Sequence, residues 1–85
     1  MAEEEVGIVE SFFAQPVVAA IKVTGNLNVG DTIHIKGHTT DIIQTVESMQ
    51  IEHDQISTAK AGDEIGIKVT DRVRPHDHVY RVIGE

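Results

Sequence analysis

Gly25-Asn26-Leu27-Asn28-Val29-Gly30-Asp31-Thr32-Ile33-His34-Ile35-Lys36-Gly37 decides the fold. A Gly- and Asn-rich turn enters Leu27 and Val29, a Gly30-Asp31 corner follows, and then a strand begins. Ile33 and Ile35 face one way while Thr32, His34 and Lys36 face the other, the period-2 pattern of a half-buried strand. Gly30 takes a positive φ without steric cost, and the Asp31 carboxylate is expected to accept from backbone N–H groups just beyond it. Gly37 ends the strand.

Outward from this stretch the same grammar repeats. Ala59-Lys60-Ala61-Gly62-Asp63 is a second Gly-Asp corner, and Glu64 to Val69 alternates with Ile65, Ile67 and Val69 inward. Upstream, Val6 to Phe13 is a strand whose Gly7 marks a bulge or a close backbone approach. Pro16 closes a turn, and the β-branched run Val17 to Val23 is the next strand. Thr40 to His53 puts Val46 and Met49 three apart, which one regular strand cannot bury together; a strand with a bulge near Glu47-Ser48 is expected, its rival being a helix, which three-residue spacings also fit. Asp54 to Thr58 reads as a loop with Ile56 inward, Asp71 to Asp77 as a polar connection, and Val79 to Ile83 as the closing strand. Short strands at even spacing predict an all-β domain, a closed Greek-key β-barrel of six or seven strands over residues 6–85. Residues 1–5, with three consecutive glutamates, are expected to form a disordered acidic tail.

Bulk composition narrows function by exclusion. Eighty-five residues allow one core. No Cys is present, so disulfides, thiolate metal sites and thiol nucleophiles are excluded. No apolar run approaches the ~18 residues of a membrane span, and the acidic start is unlike a signal peptide, so a cytoplasmic protein away from membranes is expected. The net charge of −7 disfavours phosphate backbones. The charge is uneven, because Lys68, Arg72, Arg74 and Arg81 cluster near the C-terminal end.

Three blocks carry a resemblance. Gly25 through Gly37, Val46-Glu47-Ser48-Met49-Gln50, and Ala59 through Val69 look like the second domain of translational GTPases, a six-stranded Greek-key barrel. His38-Thr39-Thr40-Asp41 and Val46 through His53 resemble the short translation elongation factor-like proteins. A related barrel closes some collagenase-like peptidases as a C-terminal domain. The resemblance implies a translation-related binding module. No phosphate loop is present, so no GTP is expected.

Candidate sites follow from side-chain chemistry. Ser11, Ser48 and Ser57 lack a nucleophile-elbow setting, and alternation scatters Asp41, Glu47 and Glu52, so the expectation is that this is not an enzyme. His76 and His78, at i,i+2, would share one face of a strand, yet no zinc-ligand spacing accompanies them; neither metal nor cofactor is expected. His38, Thr39, Thr40 and Asp41, with Glu47, Gln50, Glu52 and His53, form the first candidate surface, acidic and suited to a basic protein or an amine. Its plainer reading is a Ser/Thr or Asx turn holding its own backbone. The second surface, Arg72, Arg74, His76, His78, Tyr80 and Arg81, offers cations for a phosphate backbone and a ring for stacking, or simply a solvated loop. The function expected is a non-catalytic module engaging a protein or ribonucleoprotein partner through its loops. The alternatives are a small-molecule or metal-handling protein, or an accessory domain of a separately encoded enzyme.

Overall fold

The computed structural model describes residues 2–14, 17–52 and 54–83. Its strand segments are β1 (Ala2–Ala14), β2 (Val17–Val23), β3 (Leu27–Asn28), β4 (Thr32–Lys36), β5 (Asp41–Thr45), β6 (Met49–Ile51), β7 (Asp54–Ile56), β8 (Thr58–Ala59), β9 (Glu64–Lys68) and β10 (His78–Ile83). The all-β expectation holds: these ten strands account for the regular structure among the described residues.

β1 is the spine. Its first half pairs with β10 and its second half with β2, all antiparallel. The register shifts between Glu5 and Gly7 and again between Val9 and Ser11, so the strand bends twice and feeds both wings of the sheet. Both alternatives expected of Gly7 are met: the bulge spans Glu5 to Gly7, and a Cβ at Gly7 would lie 2.7 Å from Ile21 Cγ2 and 3.0 Å from Lys22 O. From this spine the order runs β5-β4-β10-β1-β2-β9-β6-β7, with β3 and β8 as a separate two-stranded ribbon.

The sheet does not close into a barrel. β5 and β7 are its outer strands, and no ladder joins them among the described residues. The curl nevertheless brings β5 beside the end of β9 and the residues just after it, where a side chain bridges the gap. The Gln44 carboxamide donates through Nε2 to Lys68 O and accepts through Oε1 from Thr70 N, both at 2.9 Å. A backbone peptide of an adjacent strand would present the same donor and acceptor. The expected closed six- or seven-stranded cylinder is thus corrected to an open, curled sheet, because alternation tells which face is buried but not which edges meet.

Three further expectations change, the first being that Asp54 to Thr58, read as a loop, forms β7 and enters β8. Thr40 to His53 is not one bulged strand: β5 ends at Thr45, residues 46–48 cross over, and β6 begins at Met49. Val46 and Met49 are both buried, at 1% and 0% exposure, because the chain changes partner strands between them. Ala2 to Glu5, read from sequence as tail, continue β1 and pair with Tyr80 through Ile83. The turn assigned to Gln15-Pro16 lies outside the described residues.

The interior holds Val6, Val9, Ile21, Val23, Leu27, Ile33, Ile35, Ile67 and Val79, each at most 1% exposed. Burying an aliphatic side chain of this kind stabilises by about 1.5–3 kcal/mol. Ile33, Ile35, Ile65, Ile67 and Val69 all point inward, as their alternation requires.

Candidate functional site

The site grows out of a corner that repeats three times. Asn28-Val29-Gly30-Asp31, Lys60-Ala61-Gly62-Asp63 and Arg74-Pro75-His76-Asp77 are the same four-residue turn. In each, the aspartate N–H bonds the first residue's carbonyl at 3.0–3.1 Å. In each, the aspartate Oδ2 also accepts from the first residue's N–H, at 2.9, 3.0 and 2.9 Å. The carboxylate therefore reaches back into the turn, not forward as the sequence suggests for Asp31. The third position has positive φ: 98° at Gly30, 100° at Gly62 and 76° at His76. A positive φ there alone is the type II arrangement, for which Pro75 at the second position is well suited.

Each corner grips one buried valine through two backbone bonds. Gly30 N donates to Val46 O and Val46 N to Asp31 O; Gly62 and Asp63 treat Val23 likewise; His76 and Asp77 treat Val9 likewise. These bonds fix the corners to the body of the sheet. The third corner is thereby held to β1 at Val9, immediately before β10 begins. Asp77 is only 4% exposed, and a Cβ at Gly37 would overlap its carboxylate, so the hairpin and the corner touch here.

Between them lies a groove of about 540 Å³ lined by Lys36, Gly37, His38, Arg74, Pro75, His76, Asp77, His78 and Tyr80. Lys36 and His78 are cross-strand partners on β4 and β10, which places their side chains next to each other. His78 Nδ1 donates to Glu5 Oε2 at 2.6 Å, and its ring lies 6.3 Å from that of Tyr80. Lys36, Arg74, His38 and His76 are exposed. In a chain of net charge −7 the groove gathers two permanent cations and three imidazoles against one lining carboxylate, that of Asp77, which is buried and already accepts from Arg74 N.

The structure redistributes both predicted surfaces. Of the first, His38 lines the groove just described, while Thr39 is exposed in the hairpin loop and Thr40 is buried, its carbonyl accepting from Gly37 N at 2.8 Å. Asp41 turns to His34. Glu47 opens on the gap bridged by Gln44, and Gln50 lies beside Val18 and Gly66. Glu52 follows β6 at a φ of 50°, and His53 lies outside the described residues. These positions do not form one joint face.

Of the second surface, Arg74, His76, His78 and Tyr80 come together in the groove. Arg72 sits over the Phe12 ring at 5.9 Å, and Arg81 is tied to Glu4 at 2.7 Å. His76 is in a turn and not on a strand, so the shared strand face expected of His76 and His78 is corrected. Lys36 was legible only as an outward strand residue. The signal for the third corner was present: Pro75-His76-Asp77 stands before an alternating strand just as Val29-Gly30-Asp31 does.

A separate cluster joins β1, β4 and β5 across β10. His34 Nδ1 donates to Glu3 Oε2 at 2.7 Å, and Nε2 donates to Asp41 Oδ1. The Glu3 hydrogen bond, then that of Asp41, raises the His34 pKa above its ordinary 6.5, with burial opposing. The imidazolium thus fastens the start of β1 across β10 to β5. Among the described residues no group of three or more His, Cys, Asp or Glu side chains is placed to hold a metal ion. No helix among them is long and apolar enough to cross a membrane.

No family model matches the chain. It is 42% identical over 77 residues to an uncharacterized protease of Methanocaldococcus jannaschii, covering 89% of this chain and 19% of that protein. It is 40% identical over 72 residues to a collagenase of Porphyromonas gingivalis, covering 82% of this chain and 20% of the collagenase. The chain therefore spans about a fifth of the length of these curated relatives. In fold it is similar to the C-terminal domain of a chain described as a U32 peptidase in Geobacillus thermoleovorans, with a TM-score of 0.88 at 17% identity. That match covers 94% of this chain and 93% of the solved domain. The selenomethionine variant of the same domain gives 0.85 at 18% identity, covering 89% and 96%.

These similarities overturn the translation elongation factor-like resemblance, since the proteins matched carry peptidase names and not those of translation factors. The expectation that this is not an enzyme is corrected on the same ground, because the curated relatives are a protease and collagenases. The wrong kinship has a physical source. Gly-Asp corners followed by alternating aliphatic strands encode a way of bending a sheet, and a shared way of bending does not fix the function of the domain that uses it.

Proposed function

We propose that the chain is an accessory domain of a U32-type peptidase, contacting polypeptide through its loops. The observation that carries this reading is the proportion of the match. Some 89% of the chain aligns at 42% identity with only 19% of a protease, the pattern of a unit that works as part of something larger. The fold likeness to a solved C-terminal domain supports the same assignment. A small rigid sheet with loops at its rim suits such a role, since binding residues are commonly displayed on loops fixed to a scaffold.

The test is biochemical. Tagged chain is recovered from native lysate at low and high salt, and the recovered fraction is assayed on gelatin. The reading expects a U32-type peptidase retained at high salt, whose rate on gelatin falls when this domain is removed and recovers when it is restored. Recovery of no peptidase, or a rate indifferent to the domain, overturns it.

A further inference from the structure

We propose that the groove between the β4–β5 hairpin and the third corner is a binding site for an acidic peptide segment. Its own chemistry carries this, independently of the association with a peptidase. Lys36, His38, Arg74, His76 and His78 converge on one groove of about 540 Å³ beside Tyr80. That size lies within the range of ligand sites. Two permanent cations flanked by the His38 and His76 imidazoles match carboxylates, since the groove's own carboxylate, Asp77, is buried and turned to Arg74 N while Glu5 occupies His78 Nδ1; the Arg74 side chain offers the forked geometry that carboxylates accept.

His76 supplies an independent observation. At the two equivalent corners the positive-φ position is glycine, which carries no penalty there. The third corner makes the same bonds but keeps a histidine at φ 76°, in a region that L side chains rarely adopt. The turn needs no imidazole, since Gly30 and Gly62 make the same contacts without one. What the imidazole adds is a wall of the groove, and strain retained in this way points to a binding role.

The surroundings favour a short acidic segment over a nucleic acid. Glu5 holds His78 at one border of the groove, and the Glu3–His34–Asp41 cluster lies one step further across the same strands. A long polyanion leaving the groove would meet these carboxylates on a chain of net charge −7. A few consecutive carboxylates with neutral flanks would not.

The experiment uses the full chain, labelled with ¹⁵N, titrated with acetyl-hexaglutamate amide and separately with a single-stranded hexanucleotide. The expected result is peptide-induced amide shifts centred on Lys36 to His38 and Arg74 to Tyr80, with affinity that falls as salt rises. Lys36→Ala with Arg74→Ala should weaken binding about tenfold or more, each lost contact being worth about fivefold. His76→Gly should weaken it about threefold while leaving the melting temperature unchanged or raised, which separates a binding role from a folding one. No shifts up to about 10 mM peptide, shifts centred elsewhere, undiminished binding by the double variant or by His76→Gly, or tighter binding of the hexanucleotide would each overturn the proposal.

Discussion

The corners at Gly62-Asp63 and at His76-Asp77 make the same hydrogen bonds with different materials. The first places glycine at positive φ and leaves its aspartate half-exposed; the second places histidine there and buries its aspartate to 4% exposure against Gly37. One is a hinge of the sheet and little else. The other is wedged between the hairpin and the spine, and carries side chains into a groove. The difference teaches that the backbone pattern of a turn sets the bend, whereas the residues tolerated within it record what else that place does.

Substitutions at matched positions break the pair apart. Asp77→Ala has the largest expected effect, about 2 kcal/mol, because it removes a buried carboxylate packed against Gly37 and leaves the part-buried Arg74 N–H without its acceptor. Asp63→Ala removes the same bond where water can replace it and should cost about 1 kcal/mol. Urea denaturation of both variants checks the ranking, and equal losses would mean that the burial of Asp77 adds nothing. Gly62→Ala should destabilise by about 1–2 kcal/mol, since a Cβ enters the left-handed region although no atom lies within 4 Å of it. His76→Gly inverts the sign. Releasing the strained residue should stabilise by about 0.5 kcal/mol after the extra freedom of the unfolded chain is counted. A loss of stability in that variant would show that the imidazole supports the fold.

The smallest effect concerns the far end of β1. His34 has its pKa raised in the folded chain by Glu3 and Asp41. Its contribution is therefore complete below the ordinary 6.5 and is lost as pH rises through the higher folded value. The expected loss is a few tenths of a kcal/mol, because both carboxylates are partly or largely exposed. Melting temperatures on either side of that transition measure it, and His34→Gln should flatten the dependence.

Much of this was legible residue by residue. Ile33, Ile35, Ile65 and Ile67 announce their inward faces by alternation, and the run from Val17 to Val23 announces a strand. Gly30 and Gly62 mark two corners. The third carries no glycine to mark it, because the element all three share is an aspartate reaching back three residues. Glu3 to Glu5 looked like tail because nothing local buries them; their order comes from pairing with a strand some 75 residues away. The Val46–Met49 spacing does not distinguish a bulge from a change of partner strand, since both leave the same trace in sequence.

The sequence alone determined that the chain is all-β, which faces its strands bury, and where two sharp bends must fall. Those features depend on φ preferences and on the two-residue period of a strand, both local. Only the tertiary structure decided that the sheet stays open with Gln44 spanning the gap, and that Lys36, His38 and Arg74 to Tyr80 meet in one groove. Such meetings depend on which strands pair across long stretches of chain, and that is settled by packing of the whole core.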